Sequence, residues 1–353
     1  MIERSRQYYP VTFENSIPQE DATIASADFE AASAVFEQHK MAERNQVTAL
    51  FPEPLDPDRT ERIRGFFSKL GLSTGPAIKM PPCPSWEQAQ ALAPITDDIF
   101  EFQSDGLLGS LQPVAGAYHP LHDIALLYSY RDPKRALLAR NHETDITTEI
   151  ALAHELGHSA GASEFLLEVN PSDIARSECI ESRSGFHTLE RKEPFNRGVL
   201  LTEALVHMLA HAYRAVHRPD HSAGNVSFGD LIIPAKYTYS DETFTDGCKP
   251  DGPVLAALGL ELILARDPTL FGPLLTAYKH PGHLPEVVGR MNELSPNLYQ
   301  NLNLLQNNPR HFLQGLSTVL DTLHRSNPRA ILTADRTVQD IIQHHLQKPD
   351  PLD

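Results

Sequence analysis

Glu149-Ile-Ala-Leu-Ala-His154-Glu155-Leu-Gly-His158 is the stretch on which the reading of this chain turns. The spacing and composition predict a helix from Asp145 to Ala160, closed by Gly161. Residues four apart on a helix lie one above the other on one face. His154 and His158 therefore offer two imidazole nitrogens to a single ion. Glu155, one position round, reaches a water at that ion without ligating it. Zinc suits such a set, accepting imidazole nitrogens at about 2.0–2.1 Å and lowering the pKa of the water it carries. Glu155 then takes the proton as that water attacks a carbonyl. Ile150, Ala151, Leu152, Ala153 and Leu156 make the helix largely apolar. Two histidines and a glutamate without partners would be costly in such surroundings. The expectation is one zinc ion per chain and hydrolysis of peptide bonds, with Glu155 as general base.

Two residues compete for the third ligand position. Glu203 is a lone carboxylate in the apolar run Val199-Leu-Leu-Thr-Glu203-Ala-Leu-Val-His207-Met-Leu-Ala210, and a buried carboxylate needs a partner, either a metal or an arginine. Glu164 ends His154-Glu-Leu-Gly-His158-Ser-Ala-Gly161-Ala-Ser-Glu164, which has the spacing of HExxHxxGxxH with Glu in the last place. There Gly161 would turn the chain to bring residue 164 to the metal, although that shorter motif normally ends in His or Asp. Glu203 is the preferred reading and Glu164 the rival.

Upstream, Leu111–Tyr118 and Ile124–Tyr130 alternate as strands around the turn formers His119-Pro-Leu-His-Asp123. They are expected to form a β-hairpin with Pro113 at an edge or a strand start. His119 and His122 are read as exposed loop histidines. Further upstream, Asp28–Glu43 and a run from Asp58 to Gly71 have helical spacing, separated by proline-rich linkers at 51–57 and 80–84. Downstream, a strand or hairpin is expected over Ile180–Leu189 and a long helix over Val199–Val216. From Gly252 onward the pattern is helical, with breaks at Asp267-Pro268, His280-Pro281, Ser295-Pro296, Asn308-Pro309 and Asn327-Pro328.

The chain has 353 residues, of which 41% are hydrophobic and 22% charged, a globular profile. Its net charge of −16 disfavours a nucleic-acid partner, because phosphate binding needs a basic face. No stretch has the roughly 18 apolar residues of a membrane span, and the first ten residues lack the apolar core of a secretory signal. The expected location is cytoplasmic. Cys83, Cys179 and Cys248 are isolated, so neither a disulfide framework nor a thiolate metal site is indicated, and each is expected to be a buried, inert thiol.

The hairpin, His154-Glu-Leu-Gly-His158, the Arg183-Ser-Gly-Phe186 segment and the Arg197–Ala210 helix together resemble the gluzincin clan of metallopeptidases. More narrowly, they resemble small uncharacterised bacterial gluzincin-like proteins. The resemblance covers about residues 110–215. It implies an α+β fold, with a zincin-like catalytic core over residues 96–220 made of a small sheet with an edge-strand hairpin and the active-site helix. Mainly helical segments over 1–95 and 221–353 would flank it. It implies that His154, His158 and Glu203 bind zinc and that a peptide or protein substrate is received by strand addition along Ala115, Gly116, Ala117 and Tyr118, or along their hairpin partner. Relatives of this kind commonly add a Tyr or His oxyanion donor, for which Tyr239, and behind it Tyr237, are the candidates. Many place Asp four residues beyond the third ligand to orient an imidazole. This chain has His207 there, which would supply that outer hydrogen bond instead. The rival to the enzyme reading is an inactive zinc-binding scaffold or sensor. Within the enzyme reading, residues 1–95 could cover the cleft until removed.

Overall fold

A computed structural model describes residues 6–10, 19–81, 84–104, 116–128, 143–168, 178–190, 198–218, 225–228, 231–234, 252–304 and 330–347. The described residues form a mixed α+β structure of helices and small sheets.

The predicted hairpin is present over its described part, while residues 111–115, Pro113 among them, and 129–130 lie outside the described residues. Strand β3 (Gly116–His119) runs antiparallel to β4 (Ile124–Tyr128), and β2 (Ala77–Met80) adds to β4 in parallel, so among the described residues β4 is central and β3 is an edge. Alternate side chains of a strand face opposite sides. Ala77, Ala125 and Leu127 face the main core, while Ile78, Ile124 and Leu126 meet Val47, Phe51, Leu92 and Ile95. Those partners come from α1 (Gln19–Leu50), the residue after it, and α3 (Trp86–Ser104). Burial on both faces explains the uninterrupted apolar run Ile124-Ala-Leu-Leu127, in which each full-sized aliphatic side chain contributes about 1.5–3 kcal/mol.

Residues 1–95 are thus more than the helical lead-in expected from their periodicity. They supply α1, α2 (Pro57–Lys69) and the first half of α3, but also β2 and β1 (Arg6–Pro10). Strand β2 is only four residues long, too short for alternation to reveal, and runs into the 80–84 stretch read as a linker. Residues 96–104, expected to open the zincin-like core, continue α3. Helix α2 stops as predicted, with Gly71 after its end at φ 73°, but it starts before the expected Asp58: the Asp56 side chain caps it by accepting from the Arg59 N–H.

Helix α4 (Glu143–Ser159) carries the histidine pair and packs against the sheet and α5 (Val199–His217). Beyond α4 lies an unanticipated strand, β5 (Ser163–Glu168), which is parallel to β1 and antiparallel to β6 (Glu178–Ser184). The expected 180–189 hairpin is β6 turning at Gly185 into β7 (His187–Glu190). The C-terminal part holds a two-stranded ladder, β8 (Asn225–Phe228) with β9 (Leu231–Pro234), before its helices begin. These are α6 (Gly252–Arg266), α7 (Phe271–Lys279), α8 (Leu284–Leu294), α9 (Leu298–Leu304) and α10 (Ala330–Leu346), with 3₁₀ turns at Pro268–Leu270 and Pro281–His283. The breaks expected at 267–268, 280–281 and 295–296 are present, whereas those at 308–309 and 327–328 lie outside the described residues. Cys179 is half-buried beside Phe165 and Leu167, and Cys83 and Cys248 lie outside the described residues. Among the described residues no helix is long and apolar enough to cross a membrane.

The hairpin turn departs from expectation. His119 and His122 are buried, with their Nδ1 atoms 2.9 Å apart, and His122 Nε2 lies 2.6 Å from Glu43 on α1. Arg44 on α1 pairs with Asp123 at 3.2 Å, and the Tyr118 hydroxyl donates to the same carboxylate. The sequence shows only a polar turn; that α1 folds over it is a long-range event. Burial pushes the Glu43 carboxyl up, but the His122 hydrogen bond and the charges of Lys40, His122 and His39 outweigh this and bring it down to about 2. A carboxylate with a depressed pKa adds stability above its unfolded value, and this is lost as pH falls toward the folded value. The stability gap between wild type and Glu43→Gln is therefore expected to narrow by about 1 kcal/mol between about pH 5.5 and 3.5. Urea melts of both proteins at the two pH values measure it; a gap that does not narrow contradicts the pairing.

Candidate metal centre

Helix α4 places His154 and His158 one turn apart, with Nε2 atoms 3.0 Å from each other. Glu203 on α5 reaches across, with Oε2 3.2 Å from His154 Nε2 and Oε1 3.2 Å from His158 Nε2. Helix α5 can approach this closely because residue 157 is glycine: a Cβ there would stand 2.8 Å from Val206 Cγ1. The glycine inside the motif is a packing requirement of the third ligand.

The three groups fit a zinc ion. A tetrahedral ion bound at about 2.0–2.1 Å keeps its ligand atoms about 3.3 Å apart, close to the separations of 3.0, 3.2 and 3.2 Å. Among the described residues this is the one His, Cys, Asp or Glu group of three or more placed to hold a metal. The side chains of His154, His158 and Glu203 keep 18, 13 and 25% of their surface exposed, so the cluster is reachable from solvent. Burial pushes the Glu203 carboxyl up, but the His158 charge and the hydrogen bonds from both imidazoles hold it well below the usual carboxylate range. Burial pushes His158 down, and this is outweighed by Glu203, so its imidazole rises. An anionic carboxylate facing two imidazoles favours a cation among them.

Glu155 stands apart from the ligand atoms and is buried against the edge strand. A Cβ at Gly116 would lie 2.7 Å from its Cγ and 3.0 Å from its Oε1, so the carboxylate rests on bare β3 backbone. Burial raises its pKa, against the opposing charges of His154 and His158 and reinforced by Glu203. The general-base candidate and the strand proposed to receive substrate are therefore in contact.

The chain matches no family model, no curated protein and no solved structure.

The remaining candidates divide. Glu164 is on β5, where its carboxylate pairs with Arg183 of β6 at 3.0 Å, directly across the strands. Gly161 does not turn residue 164 toward the histidines. It lies against Gly185 and Tyr278, where a Cβ would come within 2.8 and 2.9 Å. His207 is buried with its ring edge-to-face on His154, centroids 5.6 Å apart, and its Nε2 lies 3.1 Å from His211 Nε2. Gly116, Ala117 and Tyr118 are on the β3 edge; Ala115 and the oxyanion candidates Tyr237 and Tyr239 lie outside the described residues.

Two residues near the centre were not anticipated. Buried Glu149, one turn before the pair, accepts from the Tyr213 hydroxyl at 2.6 Å and faces Arg218 at 3.6 Å. Tyr278 on α7 is buried and donates its hydroxyl to the Gly157 carbonyl at 2.9 Å. Burial, with Tyr118 and Glu203 nearby, pushes its phenol well above the ordinary value. Glu149 could have been flagged as a charge in an apolar helix; Tyr278 carries no sequence signal.

Proposed function

We propose that the protein is a zinc-dependent peptidase with a zincin-like core, in keeping with its resemblance to gluzincins. The convergence of His154, His158 and Glu203 beside a separate carboxylate lying on an edge strand carries the reading. Zinc, when bound, acts as a Lewis acid that polarises a carbonyl and makes a water more acidic. His154, His158 and Glu203 would hold it, each offering one ligand atom. Glu155, raised by burial, accepts the proton of the attacking water and can return it to the leaving amine. Strand β3 (Gly116–His119) ends its sheet among the described residues, and an extended peptide would add to it there as a further strand. The absence of a side chain at Gly116 lets that peptide backbone and Glu155 approach one another.

Purified protein is expected to contain about one zinc per chain. Elemental analysis should show its loss in the His154→Ala, His158→Ala double variant. Zinc-stripped protein should regain cleavage of mixed peptides on zinc addition. Wild type without zinc, or a double variant that keeps it, would remove the basis of the proposal.

A further inference from the structure

We propose that Tyr278, far along the chain in the C-terminal helices, is a positioning residue of the metal centre that holds His158 in place through the Gly157–His158 peptide. This rests on the zinc reading of His154, His158 and Glu203.

The last carbonyls of a helix have no partners within it, and helix ends fray. His158 lies in this last turn of α4, so its position depends on what secures that turn. Gly157 O accepts from the Tyr278 hydroxyl at 2.9 Å and Ala160 N at 3.1 Å. A peptide unit is planar, so fixing the Gly157 oxygen also fixes the His158 nitrogen and Cα attached to the same unit. Tyr278 acts a second time through its main chain, since its carbonyl accepts from Ala162 N at 3.0 Å. Ala162 O in turn accepts from Gly185 N at 2.8 Å, joining the turn after α4 to the β6–β7 hairpin.

The ring is held as closely as the hydroxyl. A Cβ on Gly185 would stand 2.1 Å from Tyr278 Cε2, one on Gly161 would stand 2.9 Å from Cζ, and the Phe186 ring packs at 5.3 Å. Two glycines from separate elements thus leave room for one phenol. Helix α7 and the end of the histidine helix form a clamp, with the metal ligand His158 on the clamped peptide.

Tyr278→Phe keeps the ring and removes only the hydroxyl bond. It is expected to weaken zinc binding about tenfold, the scale of losing a hydrogen bond just outside a metal's ligands. It should also alter the visible absorption bands of the cobalt-substituted protein, which report ligand geometry. Tyr213→Phe is the control. It removes another buried hydroxyl bond to the same helix, at Glu149, and should destabilise the fold while leaving zinc affinity and the cobalt spectrum unchanged. Gly161→Ala keeps the hydroxyl but crowds the ring and the Gly185 backbone that packs on it, so it loosens the same clamp and should shift the cobalt bands as Tyr278→Phe does, which keeps the test decisive if Tyr278→Phe folds poorly. Wild-type affinity and spectrum in Tyr278→Phe, or in Gly161→Ala should that variant alone fold, would overturn the assignment and leave the zinc site standing. Wild type that takes up neither zinc nor cobalt would overturn both.

Discussion

Glu155→Gln is expected to fold and hold zinc as the wild type does while its peptide hydrolysis falls by about two to four orders of magnitude, the usual worth of general-base catalysis. The separation of effects follows from placement. Glu155 is not among the three residues whose atoms converge on the ion position, so removing its charge should affect metal affinity far less than removing a ligand. Its carboxylate is buried on the Gly116 backbone, and glutamine has the same size and shape there. Glutamine cannot accept a proton at neutral pH. Mixed peptides and cell lysate, read out as new termini, are suitable substrates. Hydrolysis that persists undiminished in Glu155→Gln would assign the chemistry to another residue or to a contaminant. Zinc retained by wild type with no hydrolysis of any substrate would favour the scaffold reading. The full chain is the right one to assay. A chain begun at Trp86 would strip β2 from β4 and Glu43 from His122, so its inactivity would say nothing about a covering segment.

What the sequence makes legible is local. The i, i+4 histidines, the helix around them, the hairpin before them and the later helix carrying Glu203 each follow from spacing within about twenty residues. What it hides are events between distant segments. Strand β2 is four residues in a proline-rich stretch, and only its pairing with β4 makes it a strand. His119 and His122 read as a wet turn until α1 brings Glu43 and Arg44 over them. Gly161 reads equally well as a helix stop or a turn toward Glu164. Its real constraint, the Tyr278 ring contributed more than a hundred residues later, cannot be seen from spacing. Gly157 belongs to the same class, since its reason is Val206 on another helix. The choice between Glu203 and Glu164 is of this kind too, since a lone carboxylate in an apolar helix and a motif spacing each allow a ligand.

That choice makes the second large prediction. Glu203→Ala is expected to weaken zinc binding by well over 100-fold, because it removes a direct ligand and the site's anionic charge. Loss of a partner merely outside the coordination set already costs about 10–100-fold. Glu164→Ala should leave zinc affinity unchanged. Its carboxylate is engaged by Arg183 across β5 and β6 with both side chains part-exposed, and such a pair contributes at most about 1 kcal/mol to stability. Competition with a chromophoric chelator measures both affinities, and thermal melts separate metal loss from unfolding. The two histidines that remain in Glu203→Ala still face one another across 3.0 Å. Residual weak binding is therefore expected, with hydrolysis lost along with the tight site. The reverse ordering, with zinc lost in Glu164→Ala and kept in Glu203→Ala, would require β5 to leave its sheet and turn residue 164 back toward His154 and His158. It would overturn both the ligand set and the close α4–α5 packing through Gly157 that brings Glu203 into it.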